Sequence, residues 1–345
     1  MKQLRIGIIG VGGIATGRHI PAFLKLAETV KITAVSDINL ERAQQTAAQF
    51  DIPHVFTHYQ DMFPEVDAVV ICTPNKFHAE ITIAALEAGL HVFCEKPMAM
   101  SAEEAERMME AAKRSGKKLA IGFHYRFMKE ARAAKKMMLE NEIGQPLVVR
   151  IQALRRRKVP GWGVFTNKEL QGGGSLIDYG CHLLDLALWL IGNPEPVEVS
   201  GTAYNILSRQ PDAVNMWGSF DHETFEVDDH VTSYIKFDNN VSLMLETSWA
   251  ANVEDDKEML SISGEKGGME VFPFRVNYPK HGMLFNSSAA FLPGEEDYGL
   301  QQARNFAEAC LGKEELLVQP EEAYQVSKII EAIYKSSETK SSVKF

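Results

Sequence analysis

Residues 4–15 read Leu4-Arg5-Ile6-Gly7-Ile8-Ile9-Gly10-Val11-Gly12-Gly13-Ile14-Ala15. Leu4, Ile6, Ile8 and Ile9 make a short apolar run of the kind that forms a buried parallel strand. It ends in a G-x-G-x-x-A turn that leads into a helical stretch. Gly10 allows the tight strand-to-helix turn, Gly12 lets a pyrophosphate approach the backbone, and Ala15 lets the helix lie close to the strand. A pyrophosphate there would sit on free N–H groups of Gly12, Gly13 and Ile14 at a helix N-terminus, where the macrodipole favours negative charge.

A second strand over residues 31–37 ends at Asp37. That acid stands roughly 20 residues past the last small residue, where a carboxylate receives the adenosine ribose hydroxyls. It repels a 2′-phosphate, and the next residues, Ile38 and Asn39, supply no arginine to hold one. The expected cofactor is therefore NAD, with NADP disfavoured.

The chain's 345 residues suggest two domains, and a hydrophobic content of 45% suits globular cores. A net charge of −10 argues against nucleic acid and anionic membranes as partners. Cys72, Cys94, Cys181 and Cys310 lack metal-ligand spacing, so no metal is expected and reduced thiols are. No secretory signal is visible and no apolar run reaches the ~18 residues of a membrane helix. A cytoplasmic location is the expectation.

The first half alternates strand and helix about five times, which specifies a doubly wound parallel sheet. Residues 66–73 form a third strand, ending in Thr73-Pro74-Asn75, with a helix from near His78. Residues 90–94 form a fourth, ending in Glu95-Lys96-Pro97. Ligands of open parallel sheets bind beyond the carboxyl ends of strands, so Thr73, Pro74, Asn75, Glu95 and Lys96 are placed to meet a cofactor. His78 reads equally as a site residue or as a helix-start histidine with a satisfied hydrogen bond. Ser101 and Glu104 form a capping box for the next helix.

The glycine fingerprint, Thr73-Pro74-Asn75 and Glu95-Lys96-Pro97 resemble those of the Gfo/Idh/MocA oxidoreductases, over what reads as the whole chain. Independently of that resemblance, an ammonium at Lys96 can hydrogen-bond a substrate oxygen and stabilise alkoxide character during hydride transfer. The plainer reading is a surface lysine.

The second half opens at Phe123-His124-Tyr125-Arg126-Phe127, with Tyr125 a substrate-side candidate. A long strand over 147–157 carries the densest basic run, Arg155-Arg156-Arg157-Lys158. It reads either as a solvated strand end or subunit contact, or as placing one arginine, Arg155, over the substrate. Trp162 reads either as a wall for sugar C–H groups or as loop packing.

Residues 172–185 read Gly-Gly-Gly-Ser-Leu-Ile-Asp-Tyr-Gly-Cys-His-Leu-Leu-Asp. The three glycines suggest close approach of backbone to a ligand. Ser175 reads as the cap of a helix that places Asp178 and His182 on one face. In the plain reading Asp178 completes the capping box and His182 is packed. In the functional one His182 is the general base for a hydroxyl proton, because histidine titrates near working pH, and Asp178 binds substrate or orients the ring. The spacing Asp-x-x-x-His after a glycine run is similar to that of the inositol dehydrogenase branch. The resemblance there implies a catalytic trio of Lys96, Asp178 and His182, with Asp185 structural.

Further strands are expected near 197–204, 230–237, 241–249, 259–263 and 268–272, with helices over 300–311 and 320–336 covering one sheet face. Residues 339–345 are expected to fray. A half-covered sheet bearing Val241, Leu243 and Leu245 needs a partner surface. The resemblance implies sheet-to-sheet homodimers or homotetramers. The expected architecture is a Rossmann domain over 1–122 and an α+β domain with a large, mainly antiparallel open-faced sheet over 123–345. The expected activity is NAD-dependent hydride transfer at a secondary hydroxyl of a polyol, inositol or sugar. The rivals are an NAD-dependent glycosidase working by transient oxidation and a non-catalytic dinucleotide-sensing regulator.

Overall fold

The computed structural model describes residues 3–345. The chain divides into two compact units, Met1–Phe127 with Asp297–Tyr324, and Met128–Glu296 with Gln325–Phe345. This differs from a contiguous division at 122/123. The physical reason lies in the helix Tyr298–Cys310, expected on the second sheet. Its Phe306 packs edge-on against Phe93 and Phe23, with ring centroids 5.6 and 6.4 Å apart. Ala303, Ala307 and Ala309 join the same buried core, so the helix belongs to the first unit.

The first unit carries six parallel strands: β1 (Leu4–Ile9), β2 (Val30–Ser36), β3 (His54–Phe56), β4 (Ala68–Ile71), β5 (His91–Cys94) and β6 (Leu119–Ile121). Their order is β3-β2-β1-β4-β5-β6. The short β3 extends the alternation read from the sequence by one strand. Ile6, Ile8, Val69, Val70 and Val92 are fully buried, as strands covered on both faces require. The strand order reverses at β1 and β4, so the crevice beyond their carboxyl ends lies between Gly10 and Thr73. The helical stretch after Gly13 is divided. Ala15–His19 is a π-turn, closed by the Ile20 N–H on the Ala15 carbonyl, and Ile20–Leu24 is α-helical. Pro21 lies in the first turn of that second piece, where its missing N–H costs nothing. The capping box forms with a shifted reach: the Glu104 N–H donates to Ser101, but the Glu104 carboxylate accepts from Met100.

The second unit carries β7 (Pro146–Leu154), β8 (Pro196–Tyr204), β9 (His230–Phe237), β10 (Ser242–Ser248), β11 (Lys257–Gly264), β12 (Gly268–Glu270), β13 (Arg275–Lys280), β14 (Met283–Ser288) and β15 (Val343–Lys344). They form one sheet in the order β14-β13-β12-β11-β7-β10-β9-β8-β15, antiparallel except for the pair β7 and β10. The carboxyl terminus, expected to fray, instead pairs with β8 through Val343 and Lys344. Val241, Leu243 and Leu245 need no partner chain, because they are 0–2% exposed within this one. Helical segments of the same unit cover that face. Gly180 stands so close to β10 that a Cβ there would lie 2.9 Å from Thr247, and Gly201 of β8 is as close to Ile333. The opposite face alternates Thr232, Tyr234 and Lys236 on β9 with Met244 and Glu246 on β10. Among the described residues no helix is long and apolar enough to cross a membrane.

Candidate active site

In the first unit the fingerprint loop is built by one close approach and one open space. Gly10 has φ +81°, and a Cβ on it would lie 2.9 Å from the Cys72 carbonyl at the end of β4. Only glycine fits that turn. A Cβ on Gly12 or Gly13 would meet nothing within 4 Å, so backbone is presented to open space there. Asp37, one residue beyond β2, is buried and accepts the Val11 N–H at 3.0 Å, which ties the loop to the acid. It also accepts the Asn39 N–H at 2.9 Å and two bonds from Arg42 at 2.6 and 3.1 Å. Burial raises its pKa, but the Arg42 and backbone donors outweigh it and hold the carboxyl below its ordinary value. An arginine therefore does stand at this corner, from five residues on rather than one or two. The first turn of the helix Leu40–Phe50 folds it back onto Asp37.

Around Thr73 and Lys96 the loops are held by buried histidines. The His78 ring nitrogens lie 2.8 Å from the Pro97 carbonyl and 3.0 Å from the Thr73 carbonyl. Both nitrogens thus face the protein, and the ring ties the two loops together. Burial lowers its pKa below the ordinary histidine value. Glu95 is engaged on both oxygens, one 2.6 Å from the His19 Nε2 and the other accepting the Lys96 N–H at 3.0 Å. Burial disfavours its charge, yet the His19 hydrogen bond prevails and brings its pKa down to about 2. Gly122 closes this corner, since a Cβ there would lie 2.8 Å from the Glu95 carboxylate. The Thr73 hydroxyl is buried and finds no hydrogen-bond partner among the described residues. Asn75 is buried, while Pro74 is half-buried. Tyr125 is buried edge-on against His124, with centroids 5.0 Å apart.

In the second unit the glycine run serves packing against the protein itself. A Cβ on Gly174 would lie 2.0 Å from the Asp228 carbonyl, and one on Gly173 would lie 2.2 Å from the Tyr334 hydroxyl. Close approach to a ligand is therefore not what these two glycines provide. Ser175 stands at the N-cap position as expected, but its side chain makes no capping bond: its hydroxyl donates to Asp228 at 2.9 Å. Asp228 supplies the capping acceptor instead. Its carboxylate accepts the N–H groups of Gly174 at 2.7 Å and Leu176 at 3.0 Å, and its carbonyl accepts that of Ser175 at 3.0 Å. The Tyr334 hydroxyl donates to the same carboxylate at 2.7 Å.

From this clamped start the chain makes a second π-turn, Leu176–Gly180, before the helix Cys181–Leu190. Asp178 lies in the π-turn and His182 in the helix, with His182 and Asp185 buried. The Asp178 carboxylate accepts the Trp249 indole N–H at 3.1 Å and faces Arg155 at 3.6 Å. Of the basic run only Arg155 points here, its guanidinium lying 4.3 Å from the Tyr179 ring and 4.7 Å from the Trp217 ring. The Arg156 backbone N–H and the Lys158 ammonium donate to Asp256, the Arg156 guanidinium donates to the Glu254 carbonyl, and Arg157 donates to the Leu207 carbonyl and the Asn252 side chain. Trp162 is 53% exposed and stands 5.5 Å from Trp217.

A family model described as an oxidoreductase family with an NAD-binding Rossmann fold, GFO_IDH_MocA, matches residues 4–123. The corresponding C-terminal domain model matches residues 131–270. The chain belongs to the Gfo/Idh/MocA oxidoreductase family. This Gfo/Idh/MocA chain has similar relatives along nearly its full length. The D-glucoside 3-dehydrogenase of Escherichia coli strain K12 is 36% identical over 341 residues, covering 98% of this chain and 96% of its own. The levoglucosan dehydrogenase of Pseudarthrobacter phenanthrenivorans is 29% identical over 292 residues, covering 78% and 73%. A solved levoglucosan dehydrogenase in complex with NADH and levoglucosan matches at TM-score 0.85 and 25% identity over 99% of both chains. An aldose-aldose oxidoreductase from Caulobacter crescentus, complexed with glycerol, matches at TM-score 0.83 and 26% identity over 100% of both.

The first unit of this Gfo/Idh/MocA oxidoreductase fits a dinucleotide by its own geometry: an open backbone cradle at Gly12 and Gly13, a buried acid at Asp37, and a Thr73 hydroxyl with no partner among the described residues. The roles of His19, Arg42, Asp228 and Trp249 were not read from the sequence; His19, Asp228 and Trp249 act on residues 54–76 positions away along the chain. Arg42 alone left a local trace, five positions after Asp37 on a helical stretch.

Proposed function

We propose that this oxidoreductase removes hydride from a secondary hydroxyl carbon of a sugar, polyol or inositol, a glucoside being the first substrate to test, and passes it to NAD. The observation that carries the reading is the helix start of the second unit. There Asp178 is fixed by Trp249 and Arg155, and a buried histidine follows four residues later. NAD, when bound, supplies the hydride acceptor at its nicotinamide ring. Gly10, Gly12, Gly13 and Ile14 would hold its pyrophosphate, Asp37 its adenosine ribose, and Thr73, Pro74 and Asn75 its nicotinamide half. His182 takes the hydroxyl proton as the carbon is oxidised, Lys96 donates a hydrogen bond to the developing oxyanion, and Asp178 receives a substrate hydroxyl. His78 and Glu95 position the loops around Lys96. Preference for NAD over NADP rests on the Asp37 carboxylate, which already occupies Arg42.

Assembly into homodimers or homotetramers through the outward sheet face, where Tyr234 and Met244 are neighbours, each 42% exposed, belongs to the same proposal. So does a cytoplasmic location, supported by four free cysteines. The test is NADH formation from glucose, methyl glucosides, levoglucosan and myo-inositol. Net NADH without release of an aglycone supports the reading; aglycone release without NADH gives the glycosidase instead. In Lys96→Ala, kcat should fall by about 10²-fold or more, the cost of losing an oxyanion donor, with NAD affinity little changed. An unaltered kcat sinks the role.

A further inference from the structure

Beyond Asp178 the second unit carries an aromatic run that the reaction itself does not use. Arg155, paired with Asp178, lies between the Tyr179 and Trp217 rings, and Trp217 leads on to Trp162. Trp162 and Trp217 are 53% and 40% exposed, unlike the fully buried Trp249. Their positions are nevertheless fixed. Asn215 and Val159 exchange two hydrogen bonds, at 2.8 and 3.0 Å, and the Met216 N–H donates to the Arg157 carbonyl at 2.7 Å. Gly161 packs so closely on Phe220 that a Cβ would lie 2.4 Å away. Both tryptophans thus sit on loops locked at the residue beside them. Exposed aromatic rings held rigid are preorganised to bind, since ordering them costs little.

We propose that Trp217 and Trp162 form a stacking platform for the aglycone or second ring of a glycoside whose sugar ring is oxidised beside Asp178. This rests on the function proposed above and narrows its substrate to glycosides. The platform contacts a part of the substrate that does not react, so its contribution is the same in ground and transition states. Losing it raises KM and leaves kcat unchanged.

The test compares glucose, methyl glucoside and phenyl glucoside, both anomers of each glycoside, in the wild type, Trp217→Ala, Trp217→Phe and Trp162→Ala. For phenyl glucoside, Trp217→Ala should raise KM about tenfold with kcat little changed, about what one aromatic contact contributes. KM for glucose should stay as in the wild type, and Trp217→Phe should recover most of the loss. Equal losses on all sugars would mean a merely structural tryptophan and overturn the platform. Unchanged KM for phenyl glucoside in both alanine variants overturns it too, while leaving the dehydrogenase reading intact. A wild type that oxidises none of these sugars overturns both. If Trp217→Ala does not fold, Trp162→Ala and Trp217→Phe decide by the same comparison.

Discussion

Asp37 and His182 are the residues whose individual chemistry is most exposed to test. Asp37 holds the Arg42 guanidinium through two hydrogen bonds, so that cation is neutralised and directed away from any 2′-phosphate. In Asp37→Ala the repelling carboxylate is gone and Arg42 is released. The ratio of kcat/KM for NADP to that for NAD should rise by at least about tenfold, equivalent to about 1.4 kcal/mol. A ratio that does not move would show that Asp37 does not govern the choice. With His182 as the proposed base, kcat/KM for oxidation should rise with pH through one ionisation, as the imidazole loses its proton. Retention of that limb in His182→Ala assigns the base elsewhere. The acid at Asp37 was legible in the sequence by its spacing from the glycine turn, but Arg42's hold on it was not. An ion pair across one helical turn depends on where the helix begins, and that is set by the Asn39 cap.

At the scale of elements, the two glycine-rich turns look alike in sequence and differ in physical purpose. Gly12 opens onto free space, whereas Gly174 is pressed against the Asp228 carbonyl. Gly12→Ala should therefore leave the melting temperature unchanged while weakening NAD binding. Gly174→Ala should do the opposite in kind. Its Cβ would be 2.0 Å from backbone, an overpacking that costs about 1–3 kcal/mol and lowers the melting temperature by several degrees. Thermal melting with and without NAD separates the two cases. Equal destabilisation by both substitutions would contradict the distinction. The two π-turns, Ala15–His19 and Leu176–Gly180, each follow one of these glycine turns. π-turns gather at functional sites in proteins generally, which agrees with the places given to both segments here.

For the molecule as a whole, acid sensitivity follows from groups of the first unit, among them buried His124 and Glu95 and half-buried His91. Burial, with Arg18 adding to it, lowers the pKa of His124 to about 3, and Arg18 donates to its Nδ1 at 3.2 Å. Burial and two lysines lower that of His91 to about 4. A histidine held neutral in the fold contributes stability that is complete above its ordinary value of 6.5 and is lost as pH falls below it. Glu95 acts lower: its stabilisation is complete above the ordinary 4.5 and is lost as pH falls towards about 2. The melting temperature should hold between pH 8 and 7, begin to fall near 6.5, and fall further below 4.5. Replacing His124 with Asn should flatten the upper part of that decline. A wild-type melting temperature constant down to pH 4 would contradict the assignment.

Short-range periodicity and spacing carried the parallel strands, the fingerprint loop and the acid after the second strand. These signals lie within a few turns of chain, where propensity and glycine geometry act. Tertiary structure alone decided which distant groups meet. His19 reaches Glu95 across 76 residues, Trp249 reaches Asp178 across 71, and Asp228 caps Gly174 across 54. It also sent the helix Tyr298–Cys310 back to the first unit, where Phe306 completes a core that β-strand periodicity could not announce. Such partners depend on which surfaces the folded chain brings within 3 Å, and no local pattern encodes that distance.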